Sequence, residues 1–393
     1  MRRSLALAGL GFDRGAGVLL ARELRRAQPG DELEITGSAR ELGLHLAAWA
    51  RAGGHALVEG RGGWALRFGP STQARRRGAQ RAGAPEPSSV AEHARPCWGL
   101  AARGALVEAG GQALGFRLDR AEEIWFSSAA ELYRAAAAAQ WDPSADIPWD
   151  APLEHPDEVE DALVCVLTFL IENETAALLV PARFATQVHP HFREVVQLLA
   201  LQAAEEARHI EVFSRRAALR RGELGLSTVG GQASLRTLVE EPDFARAALL
   251  LSVLGEGTFL NLLAFLREHA PDAASAEIMR RVAIDEARHV AFAMAHLGEH
   301  ARADATLRAR LAAAITQRHE ALRASAGLNE EVFDALVLLA AGSFDPEAIA
   351  QGHARVQELL GQMDAGRRLR LRKLGFDERE AAELSGLHTR NFM

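Results

Sequence analysis

The sequence predicts a multidomain chain. A small two-layer α/β domain of βαβαββ order (residues 1–70) precedes an all-α helical bundle with accessory helices (residues 96–393). Three observations predict it. Short period-2 runs alternate with helical patterns through the first 70 residues. From about residue 157 the apolar residues recur almost wholly at helical spacing. An acidic-Glu-Ala-Arg-His pentad is written twice, EEARH at 205–209 and DEARH at 285–289.

The elements follow in order. SLALAGL reads as a strand, GVLLARELRRA as an amphipathic helix, QPGD as a turn and ELEIT as an alternating strand. ELGLHLAAWARAG is a second helix, ended by Gly53-Gly54; HALVEG and GWALRFG, joined at Arg61-Gly62, form a closing hairpin. Residues 71–95 lack apolar periodicity and are rich in Ala, Arg, Pro, Gly and Ser, which predicts a flexible linker. AELYRAAAAAQ is a helix, and QWDPSADIPWDAP an irregular segment with two tryptophans. Four long helices come next: about 157–180, stopping before Pro181; 191–221; 242–268, with Pro242 in the first turn; and 271–301. Together they make a core bundle over about 157–301.

Composition narrows the partners. A formal net charge of −7 gives no reason to expect nucleic acid or an anionic membrane. Cys97 and Cys165, far apart in sequence, do not make a disulfide framework, and a reducing cytoplasm is the expected compartment. No uninterrupted apolar run approaches the ~20 residues of a membrane span, so no transmembrane helix is expected. The opening MRRSLALAGLGFDRG lacks the apolar length of a signal segment.

In each pentad the second acid and the histidine are three residues apart, Glu206 with His209 and Glu286 with His289. At that spacing both side chains share one helical face. The preceding helices each carry an acid within an apolar run. In LLLSVLGEGTFLNLLAFL the acid is Glu256, which is costly to desolvate there unless paired or metal-bound. In LVCVLTFLIENETAALLV there are two, Glu172 and Glu174. Leu178-Leu179, at +6 and +7 from Glu172, match Leu262-Leu263 after Glu256 and favour Glu172, with Glu174 as the alternative. The spacings are then similar, 206 − 172 = 34 and 286 − 256 = 30. The competing reading makes the pentads surface ion-pair helices around Arg208 and Arg288, and leaves Glu256 unexplained. Four carboxylates and two imidazoles suit two iron ions, or manganese with iron. Glu205 and Asp285 are placed to bond the outward nitrogen of the opposite histidine. Gly255 and Gly257 flank Glu256 at ~1 kcal/mol each relative to alanine. They predict close helix approach, a π-type distortion or open volume beside the metals.

With these pentads, residues 157–300 resemble the ferritin-like diiron-carboxylate superfamily of oxygenases, desaturases and reductase subunits. That resemblance implies a diiron centre that reduces O2 and oxidises an organic substrate. Carried over residue by residue, its ligands are Glu172, Glu206, His209, Glu256, Glu286 and His289. YRAAAAAQWDPSADIPWD and the ending LSGLHTRNFM look like flanking sequence of oxygenase-like members. Two departures matter. The single tyrosine, Tyr133, lies outside the ligand helices, which disfavours a tyrosyl radical. The p-aminobenzoate N-oxygenases share the DEARH-like signature but carry a further His one turn before the last Glu, where this chain has Val282. Residues 4–69, with GLGFDRGAGVLLARELRRAQPGDELEI and LAAWARAGGHAL, resemble the TusA-like sulfur-carrier domain. That family's Cys-Pro motif is replaced here by Gly11-Phe12-Asp13, so persulfide chemistry is lost and a docking or regulatory role is implied.

The expected function is an O2-activating non-haem diiron oxidase or oxygenase. It would have a small-molecule substrate, an unspecified electron donor, a protein partner for the N-terminal domain, and a homodimer as candidate assembly. Two rivals stand beside it: a ferroxidase without organic substrate, and a binding or regulatory protein with a vestigial metal site.

Overall fold

The computed structural model describes residues 1–70, 78–84, 89–220, 222–302, 304–323 and 330–387. These fall into two compact units, one of residues 1–88 and 101–113, the other of residues 89–100 and 114–393.

The first unit begins β1 (Arg2–Ala6), α1 (Ala16–Arg26), β2 (Glu32–Thr36), α2 (Leu42–Ala52), β3 (Ala56–Gly60), β4 (Gly63–Arg67). The sheet order is β1-β2-β4-β3, with β1 and β2 parallel and the other pairs antiparallel. Alternation in ELEIT buries Leu33 and Ile35 against Leu20, Leu46 and Leu66, and leaves Glu34 and Thr36 exposed. Gly62, at φ 104°, makes the tight β3–β4 turn. Part of the predicted linker is ordered. A strand β5 (Gln80–Arg81) pairs with β6 (Leu106–Val107), while residues 71–77 and 85–88 lie outside the described set. In the second unit, the Ala91 amide donates to His191 Nε2 at 2.8 Å.

The second unit holds α3 (Ala121–Ile124), α4 (Ala129–Ala138), α5 (Asp157–Ala185), α6 (Arg193–Ala217), α7 (Val229–Val239), α8 (Phe244–Ala248), a π-helical stretch (Leu249–Glu256), α9 (Gly257–Glu268), α10 (Ala273–Ala301), α11 (Ala305–Leu322), α12 (Glu330–Ala341), α13 (Pro346–Lys373) and α14 (Glu378–Gly386). α8, the π stretch and α9 form one rod. This rod, α5, α6 and α10 are the core: α5 packs along α6, the rod along α10, and α6 against α10. Residues 388–393 of the predicted flanking ending lie outside the described set.

Two expected boundaries are corrected. α5 runs through Pro181 to Ala185 instead of stopping before it. The ~3 kcal/mol cost of an interior proline is offset by burying Val180, Pro181 and Phe184 together. Pro242 precedes the rod, whose cap is Asp243, its side chain accepting from the Arg246 amide. α5 and the rod are each long and apolar enough to cross a membrane by length and composition. Yet 67% and 83% of their most apolar windows are buried inside the protein, so both are core elements here.

Candidate metal centre

Three core helices present seams of alternating four- and three-residue steps. These run through Leu167, Leu170, Glu174, Ala177 and Pro181 on α5; Leu199, Gln202, Glu206, His209 and Phe213 on α6; Met279, Val282, Glu286, His289 and Ala293 on α10. All are buried. Such a stripe faces the bundle axis whatever occupies it. Glu174 lies on it. Glu172, two residues and about 200° earlier, does not. Glu172 is only half-buried, and its Oε2 lies 3.9 Å from where a Cβ on Gly231 of α7 would stand. The structure thus brings Glu174, the alternative, and not Glu172 into the cluster. With Glu174 the spacings tighten to 206 − 174 = 32 against 286 − 256 = 30.

Glu174, Glu206, His209, Glu256, Glu286 and His289 converge. One group joins Glu174, Glu206, His209 and Glu286, another Glu206, Glu256, Glu286 and His289; within each, one ligand atom per residue lies within 4.8 Å of the others. Glu206 and Glu286 belong to both. His209 Nδ1 lies 3.1 Å from Glu206 Oε2, 3.5 Å from Glu174 Oε2 and 3.4 Å from Glu286 Oε1. His289 Nδ1 lies 3.0 Å from Glu206 Oε1 and 3.4 Å from Glu286 Oε2. Closeness is not satisfaction. Glu174 Oε1, Glu206 Oε1, Glu256 Oε2, both Glu286 oxygens and His289 Nδ1 are buried without a hydrogen-bond partner. Buried polar atoms are ordinarily partnered, and these converge on shared points, as ligands of cations do.

Charge tells the same story. Desolvation, then the charges of Glu206 and Glu286, raises the Glu174 carboxyl well above its ordinary value. Desolvation and the Glu286 charge do the same for Glu256. Burial opposes charging His209 and His289, but the carboxylates around them prevail and hold both imidazoles well above their usual value. Burial likewise opposes charge on Glu206, and is outweighed by His289 and the bonds around it, leaving that carboxyl well below the ordinary range. Without ions the cluster keeps protons that divalent cations would displace.

The imidazoles face outward with Nε2, and each meets the leading acid of the other pentad. His209 Nε2 is 3.1 Å from Asp285 Oδ2, and His289 Nε2 is 2.8 Å from Glu205 Oε2. With a cation bound, the proton kept on Nε2 would leave each Nδ1 as the ligand atom toward the cluster. Arg208 donates to Asp285 at 2.9 Å and Arg288 to Glu205 at 2.7 Å. The loop after α4 closes this layer: Gln140 donates to Glu205 at 2.6 Å and the Trp141 indole to Asp285 at 2.8 Å, with the Arg208 guanidinium over the Trp141 ring at 4.6 Å. Sequence reasoning missed Gln140, Trp141 and Gln202. Gln202 donates to Glu256 Oε1 at 3.0 Å; its signal was an uncharged polar residue one turn before Glu206.

The glycines beside Glu256 have two physical accounts. Glu256 ends the π stretch, a distortion frequent at functional sites. Arg370 of α13 crosses Gly257 so closely that a Cβ there would lie 2.5 Å from its Nε. The same Nε donates to the Val253 carbonyl at 2.7 Å.

No protein-family model matches the chain, and no curated protein matches it. Among solved structures it is similar to a variant of an R2-like ligand-binding oxidase with anaerobically reconstituted Mn/Fe cofactor (16% identity, TM-score 0.47, covering 63% of this chain and 94% of that one). A second variant of that oxidase is 18% identical, with TM-score 0.46 and the same coverages. Protein 19 with aldehyde deformylating oxidase activity from Synechococcus is 18% identical, with TM-score 0.43, covering 58% of this chain and 96% of that one. At these values the functional reading rests on the geometry of the site itself.

Proposed function

We propose that the chain is an O2-dependent dimetal-carboxylate oxidase or oxygenase of ferritin-like type, with two iron ions, or manganese and iron, and a small organic substrate. The observation that carries this is the set of buried, unpartnered ligand atoms in two overlapping groups. Glu174 and His209 would hold one ion, Glu256 and His289 the other, and Glu206 and Glu286 both. Bound there, the metals supply the redox chemistry that reduces O2 and oxidises the substrate. The protein's own part is positional. Asp285 and Glu205 fix the imidazole tautomers, Arg208 and Arg288 balance those acids, and Gln202 orients Glu256. Beside Gln202 and Ser252 lies a small apolar cavity lined by Val180, Phe184, Leu199, Leu251 and Phe292. For the first unit, the observed βαβαββ order supports the sulfur-carrier-like reading. Its thiol-free Gly11-Phe12-Asp13 turn supports docking rather than sulfur transfer.

Anaerobic Fe(II) loading followed by metal analysis, then optical spectroscopy on O2 exposure, tests the proposal. Two ions per chain and O2-dependent absorption changes are expected. A chain that binds no metal under those conditions sinks it.

A further inference from the structure

Two cavities meet at one side chain. The inner one, beside Gln202 and Ser252, has a volume of about 20 Å³ for the centres of water-sized molecules. That is room for one molecule the size of water or O2, not for an organic substrate. The outer one measures about 640 Å³ and opens between α8, α10, α11 and the segment around α3. Phe244 lines both. Its ring packs edge-on against Phe184 on the inner side and His296 on the outer (centroids 5.2 and 5.1 Å apart). His296 stands seven residues beyond His289 on α10, about 10 Å along the helix.

The outer cavity is built of acceptors. His296 is 2% exposed, and its Nε2 lies 2.9 Å from the Glu123 carbonyl. A carbonyl only accepts, so Nε2 holds the proton and Nδ1 is a bare acceptor; that buried Nδ1 has no partner. His300 Nε2 likewise donates to the Trp125 carbonyl at 2.8 Å. Five carboxylates line the space, Glu122, Glu123, Asp243, Glu299 and Asp304, against two arginines, Arg117 and Arg310, a formal balance of −5 + 2 = −3. Arg310 is already tied to Asp243 at 2.5 Å. Burial, then the neighbouring acids, raises the Glu123 carboxyl above its ordinary value, as crowded like charges do.

Building on the oxidase reading above, we propose that the outer cavity is the substrate site. It takes a molecule with a cationic, hydrogen-bond-donating head of the amine class, held by His296 Nδ1 and Glu123. Its apolar body lies against Phe244, whose ring stands between this cavity and the inner one. The small inner chamber then serves O2.

Calorimetric titration of the metal-free chain with 2-phenylethylamine, and with 3-phenylpropionate as the anion of like shape, tests the head-group claim without any redox chemistry. The amine is expected to bind about tenfold more tightly than the carboxylate, and Glu123→Gln and His296→Phe each to remove most of that preference. Equal binding of the two probes, no binding of either, or an amine affinity unmoved by both substitutions overturns it. Loading with Mn(II), whose paramagnetism broadens nearby proton resonances, reads orientation. The ring protons of bound 2-phenylethylamine should broaden more than those beside nitrogen, and more again in Phe244→Ala; the reverse order overturns the assignment. Metal stoichiometry is measured separately, so failure of the amine site and failure of the dimetal reading give different results.

Discussion

Two clusters of buried charge lie on the same helices and behave oppositely. The first is a cage around Arg216, which is fully buried. Its guanidinium bonds both Glu160 oxygens at 2.8 Å, Asp272 at 2.6 Å and Ser275 at 2.9 Å, and His155 reaches Glu160 at 2.6 Å. The second is the Glu/His cluster. Glu160 and Glu174 are 14 residues apart on α5, and Asp272 and Glu286 are 14 apart across α10 (174 − 160; 286 − 272), about 21 Å along each axis. In the cage one cation meets two carboxylates in good geometry, and the guanidinium has no unpartnered nitrogen. In the cluster four carboxylates meet two imidazoles, and ligand atoms are left over. Burial and charge are common to both; what separates them is whether the carboxylate oxygens find donors, as those of Glu160 and Asp272 do around Arg216, with one nitrogen, His155 Nδ1, left over.

That contrast can be broken in graded ways. The largest effect is expected at the cluster. Glu174→Gln or Glu256→Gln should each cost one of two bound ions, by metal analysis after anaerobic loading, while metal-free unfolding stays close to wild type, since burial pushes both carboxyls toward the neutral form that the amide mimics. Glu172→Gln should keep both ions; loss of one there restores the first sequence choice. Next comes the cage. Arg216→Met leaves Glu160 and Asp272 buried without their cation and should lower unfolding free energy by about 3–5 kcal/mol in denaturant titration, with metal stoichiometry intact.

Third is His296, whose imidazole is pushed down to about 4, first by burial. Its folded value lies below the unfolded one, so its contribution is full above pH 6.5 and is lost as pH falls from 6.5 towards 4. The loss approaches about 3 kcal/mol. It should appear as a steeper acid-side decline for wild type than for His296→Gln; parallel declines contradict it. The smallest effect belongs to the second layer. Asp285→Asn should weaken metal binding by about 10–100-fold without preventing it, read by competition with a chelator.

Much of this was legible in the sequence because it is local. Glu-x-x-His is a statement about one helix face, and the pentads put His209 and His289 in the cluster with Glu206 and Glu286. Glu256 stood out as the acid of an apolar helix. Comparing downstream leucines favoured Glu172, whereas the four-three seam, on which Glu174 follows Leu167 and Leu170, favours Glu174. Pro181 was read by its backbone cost alone, and burial of its neighbours overrides that cost. Gln140 and Trp141 escaped because their partners, Glu205 and Asp285, are 65 and 144 residues away; no periodicity carries that information.

The π stretch before Glu256 has a consequence for how the chain can change length. An α-helix turns 100° per residue. Deleting one residue between Leu249 and Glu256 would let the rod close into an ordinary helix and mend its hydrogen-bond ladder. The wider π turns absorb the extra residue, so the same deletion would leave Phe259 and Leu263 on the interior face and change the local setting of Glu256 and of the Val253 carbonyl that Arg370 holds. The address of this part of the centre is thus written in the number of residues as much as in their identity. A more regular helix here would keep its course and lose the setting of Glu256.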